Sequence, residues 1–135
     1  MNAPRIYRVI APVRDLAEAV RFYAFLLGQD GDHVSGGRHY FDCGGVILAC
    51  LDPRRDGDDV VPRANQEHLY FAVDELETYH ARARELGALA NGDVHGAPAG
   101  AIVVRPWGER SFYAADPTGN PLCFVDERTL FTGRR

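Results

Sequence analysis

Apolar and polar positions along this chain follow two periods in turn, and the same succession occurs twice. Over Arg5–Pro12 the β-formers Ile6, Val9 and Ile10 predict a strand, which Pro12-Val13 ends. From Leu16 the period becomes helical, with Leu16, Ala19, Val20, Tyr23, Leu26 and Leu27 on one face. Asp15 is placed to cap this helix, Glu18 completes a capping-box pattern, and Gly28 is the expected stop. Glu67–Gly87 repeats the grammar: a strand His68–Val73, Asp74 as cap with Glu77 three residues on, and a buried stripe of Leu76, Tyr79, Ala83 and Leu86. Val13-Arg14-Asp15-Leu16 lies over Val73-Asp74-Glu75-Leu76, and Leu27-Gly28 lies over Leu86-Gly87 after a one-residue gap. A chain that repeats its own strand–helix unit reads as two copies of one module.

After each helix the period returns to that of strands. In the first half these are His33–Ser35, Arg38–Cys43 and Val46–Leu51, with Gly36-Gly37 and Gly44-Gly45 as breaks. A two-residue turn at Gly44-Gly45 sets Cys43 opposite Val46 and Tyr40 opposite Ala49. Asp52–Gln66 is polar, charged and broken by two prolines, so it reads as a linker. In the second half Ala88–Gly100 is a loop with at most one irregular strand. Strands follow at Ala101–Arg105, Arg110–Ala115 and Pro121–Asp126, the last two separated by the turn Asp116–Asn120. The expected fold is α+β: two paired βαβββ modules forming a mixed sheet curved around a cleft, within one domain over 1–135. Module one is 5–51, the linker 52–66, module two 67–127 and the tail 128–135.

Composition narrows the function without naming it. Of 135 residues, 46% are hydrophobic and 25% charged, the profile of an ordinary globular domain. A net charge of -4, with basic residues no more than paired, argues against nucleic acid and anionic membranes as partners. No apolar run is long enough to span a bilayer, and the start MNAPRIYRV lacks a basic-then-apolar leader, so the cytoplasm is the default. Cys43, Cys50 and Cys123 are odd in number and form no C-x-x-C, which reads as free, reduced thiols.

Several short pieces in fixed order carry a resemblance. They are Pro12-Val13-Arg14-Asp15-Leu16, Ala19 with Phe22-Tyr23, and Leu27-Gly28. In the second half they are His68-Leu69-Tyr70-Phe71-Ala72-Val73, Leu86-Gly87, Pro106-Trp107-Gly108 and Asp116-Pro117-x-Gly119-Asn120-Pro121-Leu122. Together they resemble the vicinal oxygen chelate superfamily, which includes glyoxalase I, extradiol dioxygenases, and fosfomycin- and bleomycin-resistance proteins. The resemblance implies a divalent ion held by His and Glu from the first and last strand of each half, with open positions to polarise a substrate. In this chain the four positions are Arg8, Ala49, His68 and Cys123. Only His68 is of the implied type, and Arg8 is a permanent cation that donates and cannot ligate. The departure favours a metal-independent small-molecule-binding protein of the bleomycin-resistance type, with no cofactor. The alternative is a glyoxalase-like lyase or isomerase, or a ring-cleaving dioxygenase, whose atypical metal site uses His68, Cys123 and a third ligand such as His33 or His39. An accessory subunit with a vestigial pocket is a third possibility. The resemblance also implies a homodimer.

The candidate cleft residues are Arg8, Tyr40, Ala49, His68, Tyr70, Trp107, Tyr113 and Cys123. Arg8 reads as an anchor for an anionic ligand, as a structural ion-pair partner of Glu67 or Asp126, or as an exposed edge residue. His68 reads as a ligand or as a hydrogen-bonded cleft histidine. Tyr40, Tyr70, Trp107 and Tyr113 supply an aromatic wall, or in part ordinary core. Ala49 and Cys123 hold the two remaining metal positions, and Cys123 also reads as a small buried apolar residue. Ala88–Gly100 is the candidate rim. No catalytic residue is assigned, and the expected partner is a small aromatic or anionic compound.

Overall fold

The computed structural model describes residues 1–133, in two compact units, Met1–Asn65 and a second beginning at Gln66. The first contains β1 (Arg8–Pro12), α1 (Leu16–Leu27), β2 (Asp32–Ser35), β3 (Arg38–Cys43) and β4 (Val46–Leu51). The second contains β5 (Leu69–Val73), α2 (Leu76–Glu85), β6 (Asp93–Val94), β7 (Ala97–Pro98), β8 (Val103–Val104), β9 (Arg110–Ala115) and β10 (Pro121–Asp126). The two four-stranded sheets have matching orders, β1-β4-β3-β2 and β5-β10-β9-β8. In each, the last strand pairs parallel with the first and antiparallel with its predecessor. Neither sheet closes on itself. The fold is thus the expected α+β pair of βαβββ modules, with a two-stranded β6-β7 ribbon added to the second.

Alternation along the strands builds the cores. In the first unit Leu16, Ala19, Phe22, Tyr23 and Leu26 of α1 are buried, as are Phe41, Leu48 and Cys50 on alternate positions of β3 and β4. In the second unit Phe71, Phe124 and Phe112 form a stack of rings 4.9 and 5.3 Å apart, and Tyr79 of α2 lies 5.7 Å from Phe124. The Gly44-Gly45 turn has positive φ at both residues, 65° and 95°, and sets Cys43 against Val46 and Tyr40 against Ala49 as its length requires. No helix among the described residues is long and apolar enough to cross a membrane.

Local departures from the expected elements have local causes. β1 begins at Arg8, not Arg5, because its parallel partner β4 starts at Val46, directly after the Gly44-Gly45 turn, and offers nothing to pair with before Tyr7. β5 begins at Leu69, not His68; the residue in register with His68 is Pro121, which has no N–H to donate. β8 covers only Val103–Val104 of the expected Ala101–Arg105, since the Ala101 carbonyl turns to the Arg105 side chain at 3.3 Å. The start of the expected linker is ordered: Pro53–Asp56 forms a 3-10 turn, and Asp56 accepts from Ser35 Oγ (2.8 Å) and the Gly37 amide (2.9 Å). A Cβ at Gly37 would stand 2.2 Å from the Asp52 carbonyl oxygen, so only glycine fits there. The last two residues of the expected tail 128–135 lie outside the described residues.

The two helix starts differ in a way that matters for stability. Asp15 caps α1, accepting the Glu18 amide at 3.0 Å, and Gly28 ends it with φ 69°. Asp74 does not cap α2. The cap position falls on Glu75, the counterpart of Asp15, and no side-chain bond is made there, because a Glu side chain is one methylene too long for the usual cap geometry. Denaturant unfolding should therefore show a loss of about 1 kcal/mol for Asp15→Ala and a change within about 0.5 kcal/mol for Asp74→Ala.

At the end of β10 the buried Asp126 accepts from the Arg128 side chain (2.8 and 3.0 Å) and Arg128 amide (3.0 Å), with Arg110 at 3.4 Å. Arg110 also pairs with Glu77 of α2. The Arg128 guanidinium and amide hold the Asp126 carboxyl well below the usual carboxylate range. A depressed folded-state pKa adds stability above the unfolded value, near 3.9 for Asp, and that stability is lost as pH falls toward the folded value. Thermal melts should show Asp126→Asn below wild type at pH 7, with the gap narrowing as pH drops below about 4.

Candidate functional site

In the second unit, alternation sends Phe71, Phe112 and Phe124 toward α2 and the residues between them to the opposite sheet face. Cys123 lies in register between Tyr70 and Tyr113 on that face. His68 packs edge-on to Tyr113 with ring centroids 5.0 Å apart, and its ring is 6.2 Å from that of Tyr70. Four of the eight expected cleft residues thus meet here, and Trp107 reaches Tyr70 through a shared pocket.

The segment Ala88–Gly100, expected as a rim, lies against this face. Ala90, Val94 and Ala99 pack on Tyr113, Cys123 and Val125. Arg105, 2% exposed, fixes it in place. Its Nε donates to Ser111 Oγ at 3.0 Å, and its Nη2 donates to the carbonyls of Ser111 (3.1 Å), Ala101 (3.3 Å) and Ala99 (3.4 Å). The guanidinium stacks 4.8 Å from the Tyr113 ring centroid, and Nη1 has no hydrogen-bond partner.

Arg8, Tyr40 and Ala49 come together in the first unit. Arg8 is exposed, stacks 4.9 Å over Tyr7 and 5.5 Å over Tyr40, and donates to the Tyr7 hydroxyl at 3.1 Å. It makes no ion pair among the described residues, so of its three readings the structural ion pair does not apply. Tyr40 accepts from Arg38 through its hydroxyl at 3.0 Å, and the buried Ala49 is its register partner.

A pocket of about 470 Å³ opens in the second unit, within the usual range for small-molecule sites. Tyr70, Ala72 and Val125 come from the sheet, with Phe71 beside them. Trp107 and Glu109 come from the β8–β9 turn, and Leu130 and Phe131 from the segment after β10. Glu109 organises this wall: Oε1 accepts from Trp107 Nε1 at 2.6 Å and Oε2 from the Phe131 amide at 2.9 Å. His95, held at φ 51°, packs edge-on to Trp107 at 5.0 Å. Reading the sequence alone misses Glu109, Leu130, Phe131 and His95. The available signal is the position of Glu109 directly after Pro106-Trp107-Gly108, and the apolar pair Leu130-Phe131 in an otherwise polar tail.

Burial sets the protonation of this face. It pushes the Cys123 thiol up to about 11, against smaller downward pulls from Ser111 and Arg105. It also raises the phenols of Tyr113 and Tyr70, with the neighbouring Cys123 adding to both. All three groups are uncharged at neutral pH. Of the four positions implied for a metal, Arg8 is a cation and Ala49 has no donor atom, which leaves His68 and Cys123. Among the described residues no three His, Cys, Asp or Glu side chains gather so as to hold an ion, and the substitute site with His33 or His39 is not assembled. His39 is buried and bonded to the Asp30 carbonyl at 2.9 Å. This donor set does not fit the ion that the resemblance implies.

Residues 8–125 match the profile of the glyoxalase-like domain family. Among solved structures, an oxidase, ChaP-H2, is 26% identical, with a TM-score of 0.69 over 93% of this chain and 94% of that one. A lactoylglutathione lyase from Agrobacterium tumefaciens is 24% identical, with a TM-score of 0.67 over 93% and 96%. A glyoxalase/bleomycin resistance protein from Albidiferax ferrireducens T118 is 20% identical, with a TM-score of 0.67 over 90% and 97%. The last two similarities concern the fold alone. No functionally curated protein matches the chain.

Iodoacetamide labelling of native protein at pH 8, read by mass spectrometry, should leave Cys123 unmodified on the timescale that labels it fully in denaturant. Fast native labelling of Cys123 would show a thiolate and an accessible site, against both its burial and its raised pKa.

Proposed function

The chain belongs to the glyoxalase-like family of the vicinal oxygen chelate superfamily, and from that premise we propose that it is a small-molecule-binding protein that works without a metal, like the bleomycin-resistance members. One observation carries the reading: the preformed pocket in the second unit, walled by Tyr70, Trp107 and Phe131, with Glu109 as its charged group. Trp107, held at its polar end by the bond from Nε1 to Glu109, offers an aromatic face to a flat ligand at little entropic cost. The composition of the neighbouring sheet face supports binding over bond-making. Its phenols and thiol keep their protons at neutral pH, and His68 is packed edge-on against Tyr113.

The reading includes a homodimer, since each sheet ends on strands with one unpaired edge, which another chain can cover. It also includes a reducing, cytoplasmic setting, in keeping with three unpaired cysteines. An enzyme is the second reading, favoured by the 26% identity to an oxidase. It requires a donor set outside the four positions that the superfamily implies.

Two measurements test the proposal. Protein incubated with Mn, Fe, Co, Ni and Zn salts and passed through gel filtration should retain no stoichiometric metal, with His68→Ala behaving alike. One ion per chain, lost in that variant, would refute metal-independent binding. A thermal-shift screen of planar aromatic compounds should raise the melting temperature of wild type, and Trp107→Ala should weaken binding of the hits by about tenfold or more.

A further inference from the structure

We infer that His95 is a positioning residue: from the turn of the β6-β7 ribbon it holds the ring of Trp107 in place, and the turn gives up stability to do so. His95 does not line the pocket; it acts through Trp107, which does. The inference rests on the small-molecule-binding reading for its effect on affinity, and on the geometry of the ribbon for everything else.

Val94 pairs with Ala97, so His95-Gly96 is a two-residue hairpin turn. Both residues have positive φ, 51° and 77°. Such a turn is best served by Asn-Gly, because Asn enters the left-handed region more readily than larger side chains. The chain carries an Asn-Gly pair four residues earlier, at Asn91-Gly92, yet the ribbon turns at His95-Gly96. Among the described residues His95 is the one non-glycine with positive φ. A side chain kept in a sparsely populated conformation points to a role for that side chain. His95 is exposed, so core packing does not account for it. Its ring meets that of Trp107, with centroids 5.0 Å apart and planes at 80°.

A brace works from a fixed base, and the ribbon has one. Ala90, Val94 and Ala99 pack on Tyr113, Cys123 and Val125. Three successive carbonyls beyond β7 each accept from a side chain. Ala99 and Ala101 accept from Arg105 Nη2 at 3.4 and 3.3 Å, and Gly100 accepts from His80 Nε2 of α2 at 2.8 Å. The Ala99 amide donates to the Gly92 carbonyl at 2.9 Å. A Cβ at Gly100 would stand 2.6 Å from the Ala90 carbonyl oxygen, so the two ends of the segment are in close contact. Trp107 is thereby held twice. Glu109 accepts from its Nε1 at 2.6 Å, which fixes one point of the indole, and His95 meets the ring, which fixes its plane.

Trp107 is the only tryptophan in the chain, so its anisotropy decay reports the motion of this ring on the picosecond-to-nanosecond scale. Full-length wild type, His95→Asn and His95→Phe are compared by anisotropy decay, thermal melting and affinity for the planar aromatic hits. His95→Asn suits the turn and removes the ring. It should melt no lower than wild type, add a fast component to the Trp107 decay and weaken the hits about fivefold. His95→Phe restores a ring in the strained position. It should melt lower than His95→Asn, yet keep the wild-type decay and hold affinity within about twofold. A decay unchanged in His95→Asn, or a fast component of equal size in His95→Phe, overturns the assignment. Should His95→Asn lose its fold, wild type alone decides: a nuclear Overhauser contact between the imidazole and indole protons is expected, and its absence overturns the proposal. Hits that bind His95→Asn as tightly as wild type refute the positioning role and retain the small-molecule reading. Failure of every compound to bind refutes the small-molecule reading, and the anisotropy decay then decides the positioning role by itself.

Discussion

The alternation of side chains along β4 and β10 is the constraint on which the rest depends. Each of these strands is bonded on both sides, parallel to the first strand of its unit and antiparallel to its predecessor. Their registers therefore fix which residues of three strands share a face, and a slip of one position would exchange the two faces. One helix per unit takes one face, using Leu48 and Cys50 in the first unit and Leu122 and Phe124 in the second. The residues that bear chemistry are what remains: Arg8, Tyr40 and Ala49 in one unit, and His68, Tyr70, Tyr113 and Cys123 in the other.

The two copies diverge most in what lies against that remaining face. The second unit carries the added segment 88–105, whose β6-β7 ribbon and buried Arg105 pack on Tyr113 and Cys123. Its charges are sorted by distance and geometry. Arg110 and Arg128 converge on Asp126, Arg105 turns to carbonyl oxygens and a ring, and Glu109 is left facing the pocket with two neutral donors. A pocket's charge is thus decided as much by which arginines are occupied elsewhere as by which residue lines it.

The family membership and the site chemistry answer different questions. The same fold is found in a lyase, an oxidase and a resistance protein. In this chain the positions that the resemblance implies for ligands hold a guanidinium, a methyl group, an imidazole and a thiol. That set offers one imidazole and one buried thiol, fewer donors than the site implied by the resemblance needs. The aromatic pocket beside β5 is correspondingly the feature on which the proposed binding function is built.

Much of the architecture was legible along the chain. The change between periods of two and 3.6 located both helices and eight of the strands to within a few residues. The Gly44-Gly45 turn set the β3–β4 register, and Asp15 and Gly28 marked the limits of α1. These signals are local: a helix cap or a hairpin turn is decided by residues within about four positions, and the sequence presents those neighbours directly. The cap of α2 was misassigned by one residue because Asp is the better capping side chain, while the strand–helix geometry placed Glu75 there. The pocket was legible only in part, through Tyr70 and Trp107. Glu109 and Phe131 stand 22 residues apart, and their bond exists because the turn after β8 and the segment after β10 meet in space. The sequence by itself determined the repeat and most of the elements, since each depends on residue identity and short-range pattern. Only the tertiary structure brought Glu109 against Trp107 and the Phe131 amide in one pocket wall, because that depends on where the turn after β8 and the segment after β10 meet.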